Sequence, residues 1–216
     1  ICEKPIVTSE EEATKVREIH TVPVIVNFSR RFDHVALNLA REIEEGVHGR
    51  VISASGIYNR GIFHNGSHML DLARMFFGEL ISATHHFSLQ DIDDAAPSIS
   101  GVGVFERCPE FFLMHGDGRA YSIFEFDILT EQERFRFIDE GRTLERQDVV
   151  TDPLFAGFKA LGERRIEKTH LGHALSNLYA HSVAVLEGRE TLGSSLHDAL
   201  KTHEACAAFA RPPKTS

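Results

Sequence analysis

With 216 residues, 42% of them apolar and 25% charged, the chain has room for one large domain or one and a half small ones and enough apolar content to bury a core. A formal net charge of −9 excludes a groove that neutralises phosphates, so nucleic acid is not expected as a partner. No run approaches the roughly 18 apolar residues of a membrane span, and Cys2, Cys108 and Cys206 stand far apart with no C-x-x-C, which fits a reducing cytoplasm.

The chain opens on Ile1 in mid-pattern, as a piece of a longer protein would. Residues 1–7 form a short segment in which Pro5 stops regular structure. Thr8 or Ser9 caps a helix whose first turn carries Glu10, Glu11 and Glu12, where carboxylates suit the helix dipole, and which runs to about Ile19. Pro23 to Phe28 is a β-branched apolar run bounded by turn signals, hence a buried strand. The first thirty residues thus look like a strand end, a helix and a strand, the tail of an α/β unit. Asp33 caps a second helix with Val35, Leu39 and Ile43 on one face and Gly46 near its stop. Gly49 to Tyr58 reads as a strand.

Tyr58 to Gly78 organises the rest. Wound at about 100° per residue, His64, His68 and Asp71 fall within roughly 60° of one another, away from Met69, Leu72 and Phe76. Beyond it, Leu80 to Leu89 is a strand, Asp91 to Pro97 a polar turn, and Ser98 to Phe105 pairs with Glu110 to His115 through Arg107–Pro109. Ala120 to Thr130 alternates, with Ser122, Phe124, Phe126 and Ile128 on one side; Arg134 to Ile138 alternates charge and Phe; Thr143 to Asp152 reads as an edge strand. His173 to Leu186 and Ser195 to Ala210 are helices, the second with Ser195 and Asp198 spaced as a capping box, and Pro212-Pro213 ends it. The expected class is α+β, a largely antiparallel open sheet flanked by helices, with residues 1–30 as the α/β tail and 31–216 as the main domain.

The helix through His68 can hold an imidazole toward a cleft as an acid–base group. Two other readings stand beside that one. The polar stripe could be a solvated face, with Asn65-Gly66 a turn and Ser67 the helix cap, leaving His64 in the loop. His64, His68 and Asp71 could share a metal, although the glutamate that follows the first His of zinc proteases is missing, and no metal is expected. Lys4 lies where an α/β sheet opens its cleft and could donate to a hydroxyl or carbonyl oxygen, or be a plain surface lysine. Tyr58 and Arg60 could line a polar pocket or simply end a strand, and Arg30 and Arg31 read as ion-paired at the domain seam. The sequence has no G-x-S-x-G, no P-loop and no G-x-G-x-x-G.

Four stretches together resemble the glucose–fructose oxidoreductase / inositol dehydrogenase family across nearly the whole chain: Glu3-Lys4-Pro5; Val24 to Phe32 with the helix through Glu45-Gly46; His64-Asn65-Gly66-Ser67-His68-x-x-Asp71 with Phe77-Gly78-Glu79; and Glu187-Gly188-Arg189 through Asp198-Ala199-Leu200. The resemblance implies a Rossmann-like unit of which residues 1–30 are the end, and a substrate and oligomerisation domain in 31–216. It implies hydride transfer at a sugar or polyol carbinol carbon, with His68 as base, Lys4 on the reacting oxygen, and Tyr58, Arg60, Asn65 and Asp71 around the sugar. Glu3, Lys4 and Pro5 would border NAD or NADP in the full-length protein, with none bound by this chain. A homodimer through the sheet face follows as well, and a non-catalytic sugar-binding or dimerisation module is the alternative. Two departures are plain: the glycine-rich cofactor loop is not in this sequence, and His64 stands where many members carry Asp.

Overall fold

The computed structural model describes residues 1–7, 9–19, 22–92 and 96–212. Its helices are α1 (Glu10–Ile19), α2 (His34–Glu44), α3 (Gly66–Phe77), α4 (Ala174–Leu186) and α5 (Leu196–Ala210). Its strands are β1 (Val51–Tyr58), β2 (Leu80–Leu89), β3 (Ser98–Phe105), β4 (Cys108–His115), β5 (Phe124–Thr130), β6 (Glu133–Ile138), β7 (Thr143–Thr151), β8 (Lys159–Leu161) and β9 (Arg165–Lys168). They form one open sheet in the order β2-β3-β4-β1-β5-β6-β7-β8, with β9 also on β7. All pairings are antiparallel except β1 with β4. The α+β class with a largely antiparallel sheet is therefore what the chain adopts.

Strand alternation decides which face is buried. Phe124, Phe126 and Ile128 of β5 and Phe135 and Phe137 of β6 point into the core, as do Phe111 and Leu113 of β4. Ile52, Ile81, Phe87, Phe112, Met114 and Leu129 stand exposed on the other face. Helix α3 lies over the covered face and sets Phe76 against the rings of Phe126 and Phe137, at centroid distances of 5.5 and 5.8 Å. Phe76 and Phe77 are fully buried, worth about 1.5–3 kcal/mol apiece. Helix α5 packs on the same side, beside α3, β2 and β3.

Several expectations change. The helix α1 cap is Ser9, whose Oγ accepts from the Glu12 amide at 3.2 Å; Thr8 lies outside the described residues. Pro23 to Phe28 is not a full strand: among the described residues it pairs only through Val26, parallel to Cys2, and Ile25, antiparallel to Ser195. Ser67 is not the cap of α3, because a π turn over Gly61–Asn65 feeds directly into the helix and the Ser67 hydroxyl donates back to the His64 carbonyl at 2.7 Å. The strand from Ala120 begins only at Phe124, since Ala120 closes a turn on Asp117. Nor is β7 an edge, for β8 and β9 cover its far side. Those strands are three and four residues long and largely exposed, so they carry no alternating signal. Within Asp91 to Pro97, residues 93–95 lie outside the described residues, as does Pro213.

Candidate active site

The start of α3 is fixed by a side chain that sequence reasoning passed over. Buried Asp91 accepts from the amides of Arg60 (2.6 Å) and Gly118 (3.2 Å) and from the Ser98 hydroxyl (3.1 Å), and that hydroxyl accepts from the Gly61 amide (2.8 Å). In a polar turn an aspartate carries no distinguishing pattern. Its hold keeps Arg60 in a left-handed backbone at φ 69°, a costly conformation for a residue with a Cβ. Gly66 is required at the helix start, because a Cβ there would sit 2.8 Å from the Tyr58 ring.

Tyr58 itself is fully buried. Its hydroxyl accepts from the Ile99 amide at 2.7 Å and donates to the Ile99 carbonyl at 3.1 Å, which ties β1 to β3 under the helix start. Asp71 is also buried. It accepts from Arg31 Nε on both oxygens, at 3.0 and 2.9 Å, and from Thr202 Oγ1 at 3.0 Å. Arg74 extends the network to Glu79, Thr202 and the Asp198 carbonyl. Of the two arginines at the seam, Arg31 is ion-paired as expected. Arg30 forms no ion pair among the described residues: it donates to the Glu140 carbonyl and lies 3.5 Å from the Phe124 ring centre.

Lys4 reaches the π turn before α3 across 60 residues of sequence. It follows Glu3, whose carboxylate accepts from the Asn27 amide nitrogen at 2.9 Å, and precedes Pro5 through a cis bond. Its Nζ lies 3.1 Å from His64 Nδ1 and 3.0 Å from the His64 carbonyl oxygen. An ammonium can only donate, so Nδ1 is the acceptor and His64 is neutral with its proton on Nε2. Burial, opposed by Glu3 and aided by Arg30, pulls the Lys4 ammonium down to about 8. One turn further along, His68 packs edge-on against Phe28 at 5.7 Å and makes no hydrogen bond among the described residues. Burial, then the charges of Arg30 and Lys4 and the neighbouring His64, hold its imidazolium well below the ordinary histidine range. The result is a neutral imidazole one turn from a cation, able to accept a proton while the cation steadies the oxygen that loses it. Asn65 is half-buried at the last position of the π turn.

Lys4, His64 and His68 are thus brought together with Arg60 beside them, while Tyr58 and Asp71 have their polar atoms occupied by protein groups. His64 and Asp71 also face different partners, and among the described residues no three metal-ligating side chains cluster.

No protein-family model matches the chain. Over 102 residues it is 32% identical to inositol 2-dehydrogenase 2 of Saccharopolyspora erythraea, a stretch that covers 40% of this chain and 30% of that relative. Levoglucosan dehydrogenase in complex with NADH and levoglucosan has the same fold, with TM-score 0.71 and 18% identity over 96% of this chain and 70% of that one. A super-repressor mutant of Gal80p from Saccharomyces cerevisiae also shares it, with TM-score 0.68 and 14% identity over 96% and 68% of the two chains. The chain therefore shares its fold with about two thirds of each of these two proteins. In sequence the chain is similar over part of its length to an inositol 2-dehydrogenase, and in fold to levoglucosan dehydrogenase.

Proposed function

We propose that the chain is the substrate domain of a nicotinamide-dependent dehydrogenase acting on a sugar or polyol, with residues 1–30 closing its dinucleotide-binding domain and residues 31–216 forming the substrate and oligomerisation domain. The observation that carries this is the meeting of Lys4 with His64 and His68. A lysine held by two acceptors on the chain faces a neutral, unbonded imidazole one helical turn away. His68 takes the proton of the substrate hydroxyl. Lys4 donates to the same oxygen and stabilises its developing charge. His64 holds Lys4 in place, and Arg60 and Asn65 contact the other hydroxyls. Tyr58 and Asp71 support the site from beneath rather than touching the sugar.

The residues fit a nicotinamide. The buried side-chain oxygen of Asn27, next to Glu3 and Lys4, has no hydrogen-bond partner among the described residues, and it would accept from the carboxamide or a ribose hydroxyl. The cofactor, NAD or NADP, supplies the hydride acceptor or donor. This chain, without a glycine-rich loop, is expected to bind neither on its own. Titration with NADH and NADPH checks that, and micromolar binding would contradict it. In the full-length protein His68→Ala should abolish turnover, and unchanged turnover would refute the assignment.

The exposed apolar face of the sheet, with Ile52, Ile81, Phe112 and Met114, supports a homodimer; a monomer mass by light scattering would end that reading. Three free cysteines support a cytoplasmic location, and recovery in a secreted fraction would count against it. A second reading, a non-catalytic ligand-binding or dimerisation module, is favoured by the fold shared with a protein whose mutant is a super-repressor. Sugar binding without turnover in the full-length protein would select it.

A further inference from the structure

On a chain of net charge −9, three cations gather at this site, and among the described residues none of them forms an ion pair. Lys4 bonds only to His64. Arg30 donates to one backbone carbonyl and keeps its Nε buried without a partner. Arg60 is anchored through its backbone amide, and its side chain is exposed. Several other arginines are neutralised: Arg31 on Asp71, Arg74 on Glu79, Arg134 on Asp127, Arg146 on Glu133 and Arg165 on Asp148.

Of the nearby carboxylates, Glu3 accepts from Asn27, Asp71 accepts from Arg31 and Thr202, and Asp91 holds backbone amides, while Asp33, which caps α2 through one oxygen, and Glu140 offset the charge of Arg30. Because Lys4 donates to a neutral imidazole rather than to a carboxylate, the Lys4–His64 pair keeps a full positive charge. Arg60 caps the π turn in which His64 lies, and Lys4 bonds that histidine, so the two cations stand at the same turn. Arg60 is also the residue held in a left-handed backbone by buried Asp91, an arrangement that fixes where its guanidinium leaves the chain.

We infer that the substrate carries an anionic group, a carboxylate or a phosphate, that docks on Arg60 beside Lys4, so that the class is a sugar or polyol acid or phosphate and not a neutral polyol. The word substrate rests on the dehydrogenase reading; the anion site itself can be measured without turnover.

The test is to titrate the chain at low salt with D-gluconate, D-glucose 6-phosphate, myo-inositol, acetate and NADH, following the ring signals of His64 and His68. Gluconate or glucose 6-phosphate should bind at least about 10-fold more tightly than myo-inositol or acetate, with the better of the two naming the anion. Arg60→Gln should weaken that binding by about 10- to 100-fold, the worth of a charge-assisted contact, while Arg60→Lys retains most of it. Added salt should weaken it too. Arg60→Gly, which suits the left-handed backbone, is the second variant should the first fail to fold. Equal or tighter binding of myo-inositol, anions no better than acetate, or no effect of the Arg60 variants would overturn the inference. So would NADH moving both signals while gluconate does not, since the cations would then serve the cofactor. None of these results touches the dehydrogenase reading, which falls separately if the full-length protein shows no nicotinamide-linked turnover.

Discussion

Replacing Asp71 by Asn removes one negative charge from a site that is 1% exposed while keeping its shape. Arg31 Nε would lose the carboxylate it meets at 2.9 and 3.0 Å, and the new amide nitrogen would turn donors toward a donor. Breaking one side of a buried ion pair costs about 3–5 kcal/mol. Asp198 remains 3.9 Å from Arg31, which puts the expected loss near the lower end, about 3 kcal/mol. For a chain of this size that is roughly 6–12 °C in melting temperature. Urea titrations of the wild type and Asp71→Asn, read by circular dichroism, give the value directly, with the slope expected to stay the same. A double-mutant cycle with Arg31→Met isolates the pair. A loss below about 1 kcal/mol, combined with weakened sugar binding, would refute the reasoning and return Asp71 to the substrate.

Since His68 is held neutral by burial, the folded protein resists the proton that the unfolded chain accepts near the ordinary value of 6.5. Stability should therefore fall as pH drops below about 6.5, by up to about 1.4 kcal/mol per pH unit for one proton, and His68→Asn should flatten that slope in denaturant titrations. Lys4 must stay protonated to donate, and its ammonium lies at about 8, so the pH–rate profile of the full-length enzyme should fall on the alkaline side near that value. Lys4→Met should lose about 10²- to 10³-fold in rate, and an alkaline limb near 10 would contradict the reading. Tyr58→Phe leaves the buried Ile99 amide without its hydroxyl acceptor and should cost about 1–3 kcal/mol in a thermal or urea melt, with ligand binding unchanged.

Much of the frame could be read from periodicity. The i+4 spacing of Val35, Leu39 and Ile43 set α2, the Phe alternation of 124–128 set β5, and Ser195 with Asp198 does form a reciprocal cap. These signals survive because each is local and backed by burial on one face. The proximity of Lys4 to α3 came from family resemblance and not from spacing, since no local pattern links residues 60 apart. Tyr58 and Asp71 were legible as polar residues on the right elements, but a side chain's partners are a tertiary fact. A tyrosine at a strand end reads the same whether its hydroxyl meets a sugar or the Ile99 backbone. Ser67 had the chemistry of a cap, yet the π turn before it had already supplied helical backbone, so its hydroxyl bonded backward instead.

The segment that carries Lys4 is fastened by the far end of the chain. Cys2 pairs with Val26; the Val26 amide donates to the Ser194 carbonyl, and the Ser194 hydroxyl donates to the Val26 carbonyl at 2.6 Å. Val7 and Ala13 bury themselves against Leu196 and Leu200, and Arg17 pairs with Glu204. During synthesis residues 2–17 emerge before residues 194–204, which carry these partners. Lys4 is therefore translated well before the residues that set its segment in position. A ribosome stalled before Ser194 would display a sheet and a histidine helix whose lysine has nowhere to stand.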